Sequence, residues 1–375
     1  MMRKAFCILF LLSVCLTGYN QTAKEEFNKG VECLKSQKYF KAIHYFTNAI
    51  KINPEYADAY SHRGLAEGKL NDFVPAITDM TQAILINPNN PVYFKQRGFC
   101  KLKIKEYNGA IADYQKALEI NPGDTTAYFT LGSIFLIKDD PVGAVIACTG
   151  AISLDSTHAE ALSLRGIARS YLHDSTGAIS DLTKVIELNP RNARAYYNIG
   201  VVNSLLQDNQ SAISNLTKAI EIDPEYDVAY YNRGIAKEAL NDDSGALADF
   251  TKAIEINPLS QEAFLARGII KAKINDFRGA IDDFSQIIII KPDDPNGYFY
   301  RGMARHELKN YPEAIDDFTM AITLFSRFAP AYYRRGLVKL ALGQLENACL
   351  DFREAANMRY IEAIEAVKKY CKQTK

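Results

Sequence analysis

The chain has 375 residues, with 44 basic side chains against 44 acidic ones, 48% hydrophobic residues, seven cysteines and five histidines. The balanced charge excludes the electrostatic footprint of a nucleic-acid binder or of a protein drawn to an anionic membrane surface. The composition is that of a soluble, extended scaffold.

Residues 1–22 differ from everything that follows. Arg3 and Lys4 precede an unbroken apolar run from Ala5 to Leu16, and small and polar residues follow at Thr17 and Gly18. This is the order of a secretory signal peptide, and the run is short for a membrane span. Cleavage is expected between Gly18 and Ala23, and the mature chain is expected to be exported: periplasmic, cell-envelope-associated or secreted. The alternatives are an uncleaved signal anchor and a lipid anchor on Cys15, which is disfavoured because Val14 stands where a small residue is wanted. No later stretch is apolar enough to span a bilayer, and Ile287 to Ile290 reads as the buried stripe of a helix. Sequons at Asn20, Asn209 and Asn215 read as chance.

From residue 23 onward the chain is periodic. Ten glycines stand 34 residues apart: Gly30, Gly64, Gly98, Gly132, Gly166, Gly200, Gly234, Gly268, Gly302 and Gly336. With this glycine as position 8, ten units (23–56, 57–90, 91–124, 125–158, 159–192, 193–226, 227–260, 261–294, 295–328 and 329–362) fill the span without gaps. Position 20 is alanine in all ten, from Ala42 to Ala348. Position 4 is large and apolar in nine, with Glu26 the exception, and position 32 is proline in seven. Apolar residues recur at helical spacing on both sides of a polar turn, as in Ala229, Tyr230 and Ala236 before Asn241 to Ser244, and Leu247, Phe250 and Ile254 after it. The pattern predicts two helices per unit. The second is closed by Asn-Pro or Asp-Pro, because proline lacks an amide hydrogen and pushes the preceding residue out of helical geometry. Glycine at 8 and alanine at 20 are expected where the two helices approach closely.

This pattern resembles the tetratricopeptide repeat, a 34-residue helix-turn-helix with an aromatic at position 4, glycine at 8, alanine at 20 and 27 and proline at 32. The resemblance covers residues 23–362. It implies an all-α fold, a right-handed superhelical solenoid of helix-turn-helix units. Glu26, Lys29, Ser156 and Tyr360 depart from the pattern, in part because terminal units meet water on one side. Residues 363–375 are expected to form a C-terminal capping helix or a free tail, with Ile361, Ile364 and Val367 on one side of an amphipathic segment.

Two positions vary together. Position 7 is arginine in seven units (Arg63, Arg97, Arg165, Arg233, Arg267, Arg301, Arg335), and position 23 is aspartate in the same seven (Asp79, Asp113, Asp181, Asp249, Asp283, Asp317, Asp351). The other three units carry Lys29 with Tyr45, Leu131 with Ala147, and Ile199 with Asn215. A charge-assisted contact between the two helices of one unit is predicted, with unit 4 as an apolar substitute. These charges track packing and are not read as a catalytic site.

Nothing else points to chemistry. Cys33, Cys100, Cys148, Cys349 and Cys371 show no metal-like spacing and no disulfide framework, although a single bond is left open. Cys148 reads as a small buried hydrophobe. The isolated histidines predict no metal site, and the paired acids Asp139 with Asp140 and Asp242 with Asp243 read as helix caps. No catalytic residues, cofactor or metal are expected, and the chain is not read as an enzyme.

Function therefore falls to the surface. The resemblance implies a concave groove lined by first helices that takes an extended peptide or a partner helix. Carried over to this chain, position 5 supplies Phe129, Tyr197, Tyr231, Phe299 and Tyr333, and position 6 supplies Asn198, Asn232, Tyr300 and Arg334. Units 6 and 7, both reading Ala-Tyr-Tyr-Asn, are the favoured segment. The lysine and asparagine clamp that one subclass uses for a terminal carboxylate is absent, since Lys95 is followed at position 9 by Phe99. The expected function is a non-enzymatic protein-protein interaction scaffold of a cell-envelope or secreted assembly. The alternatives are an accessory or regulatory subunit of an envelope enzyme complex and a purely structural spacer.

Overall fold

The computed structural model describes residues 22–371. The predicted export segment up to residue 21, with Cys15 and the Asn20 sequon, lies outside the described residues. Among those described there are 21 helices and no strand, and the chain divides into two compact bodies, Met1–Pro190 and Arg191–Lys375. The first body contains α1 (residues 22–35), α2 (Tyr39–Ile52), α3 (Ala57–Lys69), α4 (Phe73–Ile86), α5 (Pro91–Lys103), α6 (Tyr107–Ile120), α7 (Thr125–Ile137), α8 (Pro141–Leu154), α9 (Ala159–Tyr171) and α10 (Ser175–Leu188). The second contains α11 (Ala193–Leu205), α12 (Asn209–Ile222), α13 (Asp227–Ala239), α14 (Asp243–Ile256), α15 (Gln261–Lys273), α16 (Phe277–Ile290), α17 (Pro295–Glu307), α18 (Tyr311–Leu324), α19 (Ala329–Ala341), α20 (Leu345–Asn357) and α21 (Ile361–Tyr370). Odd-numbered helices up to α19 are the first helices of units 1 to 10, and α2 to α20 are the second.

The turn inside each unit is made the same way ten times. Position 15 is left-handed in every unit, as glycine only at Gly343 and otherwise as residues such as Asn71, Asp139 and His173. In unit 2 the Asp72 amide then donates to the Glu67 carbonyl and the Asn71 amide to the Gly68 carbonyl, which satisfies two of the carbonyls left over at the end of α3. The side chains of Asp140, Asp174, Asp208, Asp242 and Asp276 accept an amide hydrogen bond from three residues ahead and start the second helices. Capping thus accounts for Asp140 and Asp242. Their neighbours do other things: Asp139 is the left-handed turn residue, and Asp243 pairs with Lys273 at 2.8 Å.

Most second helices are closed by an asparagine or aspartate, extended at residues such as Asn53 and Asp223. Asp155 and Phe325 adopt the same geometry although serine follows them, so proline reinforces this stop without being required for it.

Close packing explains the glycine and alanine columns. A Cβ on any of the ten period glycines would come within 2.5–3.1 Å of the side chain at position 24, for example Phe250 against Gly234 and Met80 against Gly64. The position-20 alanines are fully buried beneath the same helices. Cys148 takes the position-24 place in unit 4, buried as expected. The run Ile287 to Ile290 is only partly a buried stripe, since Ile287 is buried whereas Ile289 is 68% exposed. No helix among the described residues is long and apolar enough to cross a membrane.

The C-terminal segment docks as α21 on α20. Its covered face is Ala363, Ala366, Val367 and Tyr370, whereas Ile361, expected on that face, is 69% exposed. Cys349 and Cys371 are joined by a disulfide, with their Cα atoms 5.6 Å apart. The sequence shows these cysteines only as 22 residues apart. The reversal at Arg359, left-handed like the turns inside units, folds α21 back and brings them together.

Candidate protein-binding site

The first helices are held in place by a repeated arrangement of charge. In all seven units with arginine at position 7, its Nε and Nη2 donate in a fork to the two carboxylate oxygens of the position-23 aspartate of the same unit. In unit 7 these bonds, Arg233 to Asp249, measure 2.9 and 2.6 Å. All seven aspartates are buried. The predicted intra-unit pairing is therefore observed, and in unit 4 Leu131 and Ala147 join an apolar cluster with Phe135 packed against it.

Three further partners escaped the sequence reading. The third arginine nitrogen, Nη1, reaches the second helix of the preceding unit and donates to a hydroxyl at position 25, as Arg233 does to Thr217 at 3.1 Å and Arg301 to Ser285 at 3.2 Å. Six of the arginines also lie over the aromatic ring at position 4, 5.5–5.7 Å from its centre. Finally, position 11 supplies a second cation to the aspartate in six units: Lys101, Arg169, Lys237, Lys271, Arg305 and Lys339, at 2.7–3.0 Å. A column of basic residues at position 11 was visible in the sequence.

Unit 2 breaks this rule. Its position 11 is Glu67, placed beside Asp79 and Arg63, and one carboxylate oxygen is buried without a hydrogen-bond partner. Burial, with Asp79 adding repulsion, pushes the Glu67 carboxyl up to about 7.

The nine candidate contact residues on the first helices are all half-buried. The position-5 rings lean into the structure. Phe129 lies 5.4 Å from the His158 ring, Tyr197 5.1 Å from Tyr226, and Tyr231 5.8 Å from Phe250. Phe299 sits 4.9 Å from Phe328, and Tyr333 5.5 Å from Tyr360. Asn232 donates its amide to the Val228 carbonyl at 2.8 Å and, more weakly, to the Tyr197 hydroxyl at 3.4 Å. The Asn198 amide nitrogen is buried without a partner, and Arg334 stands half-buried at the same position of α19. Tyr300 stacks on Phe284 at 5.6 Å and lines a cavity of about 260 Å3 with Ile269, Phe277, Met303 and Glu307.

A larger recess, about 490 Å3, opens on the first helices of units 2, 3 and 4. Its walls are Leu65, Phe73, Met80, Phe99, Cys100 and Tyr114. Its rim carries Lys69, Lys95 and Lys103 together with Gln96, Thr126 and Thr130, and no carboxylate lines it. Lys95 is tied to Asp124. Lys103 lies over the Phe99 ring at 5.1 Å. Burial raises the Cys100 thiol to about 11, which disfavours its thiolate. The recess can receive an apolar group and offer cations to its flanks.

Models of the tetratricopeptide repeat match residues 91–124, 193–226, 228–258, 265–327 and 329–362. Compared by sequence with curated proteins, the chain matches none. Among solved structures, the C-terminal part of a TPR repeat-containing protein from Cytophaga hutchinsonii aligns with a TM-score of 0.56 and 20% identity, over 64% of this chain and 98% of that one. YrrB, described as a TPR protein with an unusual peptide-binding site, aligns at 24% identity over 49% of this chain and 95% of its own, with a TM-score of 0.46. MamA aligns at 29% identity over 45% and 92%, with a TM-score of 0.43. The family models together cover more than half of the sequence, on helices paired and packed as described above, and the chain belongs to the tetratricopeptide repeat family.

Proposed function

We propose that the protein is an exported, non-enzymatic scaffold that holds a segment of a partner protein against the face built by its first helices, within a cell-envelope or secreted assembly. Its repeats support a protein-interaction scaffold. The finer reading rests on one observation: the first-helix face offers an open recess with apolar walls and a cationic rim, which suits recognition of a partner's side chain. Export is supported by the charged, apolar, small-residue order of the N-terminus. It is also supported by the Cys349–Cys371 disulfide, a bond that persists in oxidising compartments.

The test is affinity purification from the native cell envelope with bound proteins identified by mass spectrometry. Wild type is compared with two folded variants, one altered to alanine at Tyr197, Asn198, Tyr231 and Asn232, the other Gly68→Leu. A partner lost from either variant supports first-helix binding. Identical partners in all three samples would turn attention to the outer helices and favour a structural spacer.

A further inference from the structure

We propose that the recess of units 2, 3 and 4 seats one large apolar side chain of an acidic segment of the partner, with the flanking carboxylates on Lys69 and Lys103. The inference rests on the scaffold reading and deepens it.

Space comes first. Position 12 of the first helix is Gly68 in unit 2, whereas the units beside it carry Leu34 and Leu102. An added Cβ at Gly68 would meet only the Cys100 sulfur, at an ordinary 3.7 Å. The period glycine Gly64, one turn earlier, has no such room. Gly68 is therefore not demanded by helix packing, and its missing side chain widens the recess into the range of about 300–1,000 Å3 typical of ligand sites. Phe99, at the edge of the recess, stays 46% exposed, although an aromatic ring gains by being covered.

Charge selects the occupant. Three lysines and no carboxylate border the recess, in a chain whose total charge is zero. Asp124 pairs with Lys95, and Lys69 and Lys103 are the other two cations of the rim. An acidic segment meets this field, and a basic one is repelled. The rim also holds side chains that can bond a peptide backbone. The Gln96 carbonyl accepts from Ser61 at 2.7 Å, which fixes that amide and leaves its NH2 group to donate.

The probe is a fluorescein-labelled peptide with one phenylalanine flanked on each side by two aspartates, read by fluorescence anisotropy on the full chain. Binding should weaken about tenfold or more when alanine replaces the phenylalanine, because the buried anchor carries most of the affinity. It should weaken by a similar factor in Lys69→Glu with Lys103→Glu, and with rising salt. Gly68→Leu should abolish it while leaving the helical circular dichroism and the melting temperature at or above wild type, since leucine is the better helix former. No binding, equal binding of the alanine or an all-lysine version, displacement by decanoate, or self-association through this face would each overturn the proposal. The envelope purification separates the two readings. A partner held equally by wild type and Gly68→Leu but lost from the Tyr197, Asn198, Tyr231 and Asn232 variant refutes this inference and leaves the scaffold reading standing, whereas probe binding with no protein partner from the envelope does the reverse.

Discussion

In unit 7 the contact between α13 and α14 is built from Arg233, Lys237 and Asp249, with the aspartate buried and bonded by both cations. In unit 4 the same positions of α7 and α8 hold Leu131, Phe135 and Ala147, packed as hydrophobes. The backbone is the same in both, down to the left-handed residue at position 15 and the aspartate cap at position 16. Buried charge is thus one of two ways to fill this space. Desolvation consumes much of the gain from an ion pair, so an apolar replacement can match it, whereas half of the pair cannot stand alone.

The largest effect follows directly. Asp249→Ala strands Arg233 and Lys237 beside an apolar contact and should cost about 3–5 kcal/mol in thermal or urea unfolding. The variant that copies unit 4, Arg233→Leu with Lys237→Phe and Asp249→Ala, should recover most of that loss. If the triple variant is as unstable as the single one, the equivalence of the two solutions is wrong.

A middle-sized effect probes a third kind of tie, the covalent one at the end of the second body. Cys371→Ser removes the link from α20 to α21 across a 22-residue span and should cost about 3 kcal/mol locally by the loop-entropy relation. Hydrogen exchange should show faster exchange in α21, with units 7 and 8 unchanged. Unaltered protection of α21 would mean that Ala363, Ala366 and Tyr370 hold the cap without the bond.

The smallest effect sharpens the comparison at unit 2, which has the arginine and aspartate but Glu67 where unit 7 has Lys237. With its pKa raised from 4.5 to about 7, Glu67 holds in the folded state a proton that the unfolded chain releases. Its contribution to stability is therefore fully present below pH 4.5 and is lost as pH rises through 7. Because the group is only about half buried, solvent screening limits the loss to roughly 1–2 kcal/mol. Glu67→Lys should restore the six-unit pattern, raise stability at pH 8 by about that amount and flatten this part of the pH profile. An unchanged profile in Glu67→Gln would show that another group titrates there.

Much of this architecture could be read directly from the sequence, because its main features recur in seven to ten of the ten units. The glycine and alanine columns mark close approach, and the matched loss of Arg and Asp in units 1, 4 and 6 identifies a contact inside one unit. The position-11 cations were also visible as a column but were not read, since their partner was already assigned to position 7. Glu67 and Gly68, by contrast, each occur once and have no second copy to compare.

The candidate contact residues show the same limit. Position 5 was expected to face a ligand, and the rings of Phe129, Tyr197 and Phe299 pack on His158, Tyr226 and Phe328. Unit 2 was not singled out in the sequence, yet it holds part of the larger recess. A cavity is a sum over side chains from several helices, and no single position reveals it.

The sequence by itself determined the helices, their turns, the close-packed columns and the intra-unit ion pair, because these depend on neighbours at fixed separations along one repeating unit. Only the tertiary structure decided which arginine nitrogen crosses to the preceding unit, that Cys349 meets Cys371, and where the larger recess opens. Those features depend on distances between atoms far apart in the chain, set by how rigid helices stack and by individual residues that break the repeat.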